Sequence, residues 1–180
     1  MKLPRAFRPA RAADTAPLLD LVDAFYREEG YPFDRRAARA ALVALLRDPG
    51  RGWVWVVERR SKLIGYVLVT LAYSLEYGGK TAFVDEIYLL PEERGRGLGS
   101  RALALAERAA AASGARAIHL EVERSNSGAL TLYRRRGYDD RGRFLLTKAL
   151  GTFGASGTTR RGRAGRKSPS TSRGARGRRA

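Results

Sequence analysis

The chain has 180 residues, no cysteine and a single histidine, His119. Those counts exclude a disulfide framework, a cysteine nucleophile, a thiolate or histidine-clustered zinc site and a histidine-dependent triad, and no metal site is expected. The formal charge of +17 is unevenly spread: residues 151–180 hold nine lysines and arginines and no acid, leaving 26 basic against 18 acidic side chains in residues 1–150. Arginine outnumbers lysine and alanine is abundant, a bias that GC-rich coding would also produce. No apolar run approaches the roughly 18 residues of a membrane span, and residues 1–12 lack a signal-like apolar stretch. A cytoplasmic protein without a membrane partner is the expectation.

Asp14, Thr15 and Pro17 read as the cap and first turn of a helix whose apolar face is Leu18, Leu21, Val22 and Phe25. Gly30 and Pro32 end it. Asp34 is placed to cap a second helix carrying Ala38, Ala41, Leu42 and Leu45, stopped by Asp48-Pro49-Gly50. From Trp53 the pattern turns to β: WVWVVE, a polar turn at residues 60–62, then LIGYVLVTLAY as a hairpin. Gly78-Gly79 leads into FVDEIYLL, apolar enough for burial on both faces. A third helix carries Leu98, Ala102, Leu105, Ala106 and Ala109 and ends at Gly114. AIHLEVE reads as a strand, residues 126–136 as a short helix closed by Gly137, and RFLLTKAL (143–150) as a last strand. The predicted order is ααβββαβαβ, with room for a short first strand near Phe7. That is an α/β domain over residues 1–150, with a mixed central sheet and flanking helices. Residues 151–180, rich in Gly, Ser, Arg and Thr, bury too little apolar surface to offset their ordering entropy and are expected to be a disordered basic tail.

The chemistry concentrates in Arg94-Gly95-Arg96-Gly97-Leu98-Gly99-Ser100, between a buried strand and an amphipathic helix. Glycines let backbone amides approach a ligand, and the first helical turn presents unpaired N–H groups at the positive end of its dipole. With Arg94, Arg96 and Arg101 nearby, the segment suits phosphate oxygens. A Walker loop requires Gly-Lys-Ser/Thr, and Gly99-Ser100-Arg101 stands here instead. A dinucleotide fingerprint accommodates Gly95, Gly97 and Glu121. It is opposed by Ser100 at the third small position and by Pro91 to Arg94 between strand and glycines, and it leaves residues 126–138 unexplained.

The run PEERGRGLG resembles the Arg/Gln-x-x-Gly-x-Gly/Ala acyl-CoA signature of the GNAT (GCN5-related N-acetyltransferase) superfamily. NSGALTLYRRRGY is similar to that superfamily's second signature, Asn-x-x-Ala-x-x-Leu-Tyr-x-x-x-Gly-Phe/Tyr. The likeness covers roughly residues 5–150. It implies the acyl-CoA N-acyltransferase fold and a V-shaped opening between the strands at 83–90 and 117–123. Acetyl-CoA would enter there as co-substrate. By the same resemblance, Ile87, Tyr88 and Leu89 run along the pantetheine arm, with main-chain contacts from Ile87 and Leu89. Arg94 to Ser100 (Gly95, Arg96, Gly97, Leu98 and Gly99 between them) hold the pyrophosphate. Asn126 contacts the arm, and Tyr133 lies near the thioester sulfur.

Attack of an amine on a thioester needs a neutral amine, a polarised carbonyl and a proton for the leaving thiolate. Tyr133, ordinarily near pKa 10 against about 8.5 for a thiol, suits the last task. For the base, strict alternation puts consecutive Asp85 and Glu86 on opposite faces, with Asp85 on the side of Ile87 and Leu89. Asp85 is preferred to Glu86; an arginine salt bridge or deprotonation through water are the alternatives. Residues 25–34 (FYREEGYPFD) would wall the acceptor site. Glu28, Glu29 and Asp34 offer charge for a cationic amine, and Tyr26, Tyr31 and Phe33 offer packing for its alkyl part. A solvated helix end is the simpler alternative. Glu76, Glu121 and Glu123 add acid, and His119 is expected to pack rather than react. The reading is an N-acetyltransferase acting on a small-molecule or peptide primary amine, compatible with a homodimer. Its rival is a non-catalytic acyl-CoA-binding or nucleic-acid-associated module, with weak nonspecific nucleic-acid contact through the tail.

Overall fold

The computed structural model describes residues 6–150, so the basic segment 151–180 and its expected disorder lie outside the described residues. Five strands form one sheet in sequential order: β1 (Phe7–Pro9), β2 (Gly52–Arg59), β3 (Lys62–Ser74), β4 (Gly79–Leu89) and β5 (Ala117–Leu120). Neighbours are antiparallel except β4 and β5, which run parallel. Helices α1 (Thr15–Glu29) and α2 (Arg35–Arg47) cover one face, and α3 (Leu98–Ala112) and α4 (Ser127–Arg135) the other. The parallel β4–β5 pair requires a crossover, which α3 supplies. The mixed α/β architecture read from the sequence is the one observed, including the short strand at Phe7.

WVWVVE explains the sheet's central position. Val54 and Val56 pack with Leu18, Leu21, Leu42 and Tyr66 beneath α1 and α2. Trp55 and Val57 pack with Leu103, Leu105 and Ala106 of α3. Bulky β-branched and aromatic residues on both faces of a strand are what a sheet covered on both sides requires. The expected α3 stripe is buried, joined by Leu103 and Ala110, and its four buried alanines let the helix lie close to the strands.

Three local expectations differ. Asp34 does cap α2, accepting from the amides of Arg36 and Ala37 at 2.9 and 3.0 Å. Asp14, by contrast, does not cap α1. Its buried carboxylate takes both Arg8 nitrogens, at 2.7 and 2.9 Å, and the Arg11 amide at 2.7 Å, tying β1 to the start of the helix. A charged bidentate partner outcompetes the local amides.

AIHLEVE is a strand only over Ala117–Leu120, because β4 diverges from it there. The last strand is absent: residues 143–150 pair with no strand among the described residues, leaving Phe144 and Leu146 82% and 90% exposed. Apolar composition alone cannot form a ladder without an edge in register; Arg143 is anchored instead by two bonds to Glu76, at 2.8 and 2.9 Å. No helix among the described residues is long and apolar enough to cross a membrane.

Candidate active site

The parallel pairing of β4 with β5 runs from Thr81↔Ala117 to Val84↔Leu120 and stops. Beyond it, residues 85–89 remain paired with β3 alone, and residues 121–123 leave the sheet. The gap is an opening of about 530 Å³, continuous with solvent, walled by Val84 to Ile87 on one side and Leu120 to Glu123 on the other. The β4 edge facing β5 has no strand partner past Val84, so main-chain groups there are available to an extended ligand.

A bulge sits at the point of divergence. Val69 pairs with Val84 and Leu68 with Glu86, so Asp85 is an extra, unpaired residue. The strict alternation behind the expectation that Asp85 shares a face with Ile87 and Leu89 therefore does not run through this point, because a bulge resets it. Val84, Ile87 and Leu89 pack on the α3 side, whereas Glu86 and Tyr88 meet residues of the α1 side. Asp85 is left exposed on the wall of the opening. Although the residue keeps a solvent-facing surface, the walls of the opening strip part of the hydration from its carboxyl and push it above the ordinary aspartate range, and no ion pair among the described residues opposes this. The arginine salt bridge considered for Asp85 or Glu86 is not formed among the described residues. Glu86 instead accepts the hydroxyls of Tyr26 and Tyr66, both at 2.7 Å. Burial raises its pKa and the two tyrosines counter this; burial and the adjacent Glu86 charge push both tyrosines upward.

At the N-terminus of α3, Gly95 and Gly97 adopt φ of +74° and +75°. The amides from Gly95 to Ser100 have no hydrogen-bond partner among the described residues, and an added Cβ at Gly95 or Gly97 would meet nothing within 4 Å. Unpaired N–H groups on an uncrowded glycine loop at a helix N-terminus are the arrangement an anion site needs. The flanking arginines are more constrained than the sequence suggests. Arg94 makes a bidentate pair with Glu28 of α1 (2.6 and 2.7 Å), donates to the Leu89 carbonyl at 2.9 Å and lies 5.5 Å from the Tyr88 ring centroid. Its guanidinium thus fixes the loop against α1. Arg96 lies 3.4 Å from Glu93, which Arg59 also holds at 2.8 Å.

Asn126 accepts the Ala129 amide at 3.0 Å as the cap of α4. Asn126 also lines the opening. Tyr133, about two helical turns further along α4, lines it too. The residue is 8% exposed, its hydroxyl has no hydrogen-bond partner among the described residues, and burial pushes its pKa up. Of the residues expected to wall the acceptor site, Glu29 and Tyr31 line the opening with Glu121 and Glu123. Glu28 is taken by Arg94, Asp34 by its helix cap and Glu76 by Arg143, and Tyr26 holds Glu86. Phe33 packs edge-on to Tyr26, and His119 edge-on to Tyr77.

Residues 17–138 match the model of the acetyltransferase (GNAT) family. The chain belongs to the GNAT family. An integron cassette protein from the mobile metagenome of Cole Harbour Salt Marsh is 34% identical, with a TM-score of 0.75 over 84% of this chain and 94% of its own. The uncharacterized N-acetyltransferase YhfO of Bacillus subtilis is 27% identical over 76% of this chain and 89% of its own. The aminoalkylphosphonate N-acetyltransferase of Salmonella typhimurium is 29% identical over 79% and 90%. An aminoglycoside N-acetyltransferase solved in complex with CoA has the same fold, with a TM-score of 0.70 at 15% identity over 83% of this chain and all of its own.

Within this GNAT domain, sequence reasoning did not single out Ala129 as a lining residue, whereas Phe25 lies in the 25–34 segment and Val122 in the 117–123 strand expected to bound the opening. Phe25 also belonged to the predicted apolar stripe of α1. The Arg94–Glu28 link joins residues 66 positions apart and left no trace in local pattern.

Proposed function

We propose that the chain transfers an acetyl group from acetyl-CoA to a primary amine by direct attack on the thioester. One observation carries the reading. A carboxylate with raised pKa, Asp85, and an unpartnered phenol, Tyr133, line the same strand opening. The amine nitrogen attacks the thioester carbon while Asp85 takes its proton, directly or through water. Main-chain N–H groups on the free edge of β4 stabilise the oxyanion. The C–S bond then breaks, and Tyr133 gives its proton to the thiolate and regains one from solvent. The unpaired amides of Gly95 to Ser100 hold the pyrophosphate, Ile87 to Leu89 run along the pantetheine arm, and the Asn126 NH₂ contacts it. Glu86, caged by two tyrosines, orients the acceptor wall; it does not exchange protons.

The test is free-thiol release from acetyl-CoA with a panel of primary amines, paired with mass analysis of the amine. Thiol release should depend on the amine and match formation of its acetamide. Acetyl-CoA binding without transfer to any amine, peptides included, would favour the non-catalytic module.

A further inference from the structure

Five carboxylates line the opening, namely Glu29, Asp85, Glu86, Glu121 and Glu123, and no lysine or arginine does. In a chain of net charge +17 this is a local inversion of sign. Glu29, Glu121 and Glu123 form no ion pair among the described residues, although arginines elsewhere hold Asp14, Glu28, Glu76 and Glu93. The three line the opening together with Tyr31, whose hydroxyl is pushed up by burial and then by the charges of Glu123, Glu29 and Glu121. Glu121 is itself raised, by burial first and by Asp85 second, so the outer acids lie within electrostatic reach of the inner one. Unpaired like charges grouped in one cleft are unfavourable unless a cation joins them. The cleft has a second marker of ligand use: Tyr133, a residue only 8% exposed, lines it, and its hydroxyl has no hydrogen-bond partner among the described residues.

We infer that the acceptor is a linear di- or polycationic amine. One nitrogen reaches Asp85 as the nucleophile, and a second, protonated nitrogen is held by Glu121, Glu123 and Glu29. Phe25 and the Tyr31 face pack its alkyl chain, and an aromatic face also attracts the ammonium. This rests on the acetyltransferase reading above and narrows it. The same charges oppose acceptors with an anion, so an aminoalkylphosphonate, the acceptor in the Salmonella relative's name, is a poor substrate here.

The experiment compares kcat/KM for 1,4-diaminobutane, n-butylamine, 4-aminobutanoate and a lysine-containing basic peptide, using the full chain and saturating acetyl-CoA. The diamine should exceed n-butylamine by about tenfold or more, with the amino acid below both. Added salt should erode the diamine's advantage by screening. Glu121→Gln combined with Glu123→Gln should narrow the diamine-to-butylamine ratio several-fold, while the acetyl-CoA-induced thermal shift reports that the variant is folded and loaded. Equal kcat/KM for diamine and butylamine would overturn the inference and leave acetyl transfer intact. So would a ratio indifferent to the glutamates, or a peptide preferred tenfold over the diamine. No turnover of any of the four, despite cofactor binding, would strike the acetyltransferase reading instead.

Discussion

Gly97→Ala separates a backbone cost from a cofactor cost, because Gly114 supplies a matched control. Both glycines adopt left-handed φ, +75° and +83°, and at both an added Cβ would meet nothing within 4 Å. Alanine in that conformation costs about 1 kcal/mol at either site. For a domain of this size that lowers Tm by about 2–4 °C in each variant. The two positions flank α3, whose 15 residues separate them by about 22 Å. At acetyl-CoA concentrations of about 100 times Kd, the parent gains about 2.7 kcal/mol. If the Gly97 methyl stands in front of the pyrophosphate amides and weakens binding about tenfold, roughly half of that gain disappears. Scanning calorimetry with and without acetyl-CoA therefore gives two equal apo losses but unequal ligand shifts, full for Gly114→Ala and about halved for Gly97→Ala. Equal shifts in both variants would refute the placement of the phosphate groups at this loop.

Tyr133→Phe keeps the ring packing and removes the hydroxyl, so kcat should fall about 10²-fold or more with the acetyl-CoA-induced shift retained; single-turnover kinetics check this. Asp85→Asn should abolish the part of the kcat/KM–pH rise that reports a carboxylate titrating above its ordinary range. Because the native pKa of Asp85 is raised, its contribution to stability is full at pH below the unfolded value and is lost as pH climbs through the native one. Asp85→Asn should thus raise Tm at neutral pH, with the difference vanishing in acid. Tyr138→Phe removes a buried hydroxyl that has no partner among the described residues and should stabilise the fold by about 1 kcal/mol in urea titrations.

What could be read from sequence was what repeats locally or is confined to a short segment. The faces of α1 and α3, the double-sided strand β2 and the glycine loop each declare themselves within a dozen residues. Asn126 and Tyr133 were legible because both fall in the signature run NSGALTLYRRRGY, and both line the opening. The bulge was not, since FVDEIYLL contains no glycine or proline to mark a break in alternation; it exists only relative to β3. The partners of the acidic residues were equally hidden. Glu28, Glu29, Glu121 and Glu123 look alike as letters, and only the tertiary arrangement assigns Glu28 to Arg94 and leaves the others to the cleft. The strand expected at 143–150 failed for a related reason: a ladder depends on an edge that no property of the segment can supply.

The β4 bulge also bears on how such a protein tolerates insertions and deletions. With Val84 opposite Val69 and Glu86 opposite Leu68, a chain lacking Asp85 would close into a regular ladder. Val84, Ile87 and Leu89 would keep their side, and Glu86 and Tyr88 theirs. Deleting one residue from most positions of a central strand turns every later side chain to the wrong face. Here the sheet carries one residue more than its own construction needs, and that residue bears the carboxylate assigned to the chemistry. A single-codon deletion at this position would separate the two inheritances of the strand, a scaffold that persists and an activity that does not.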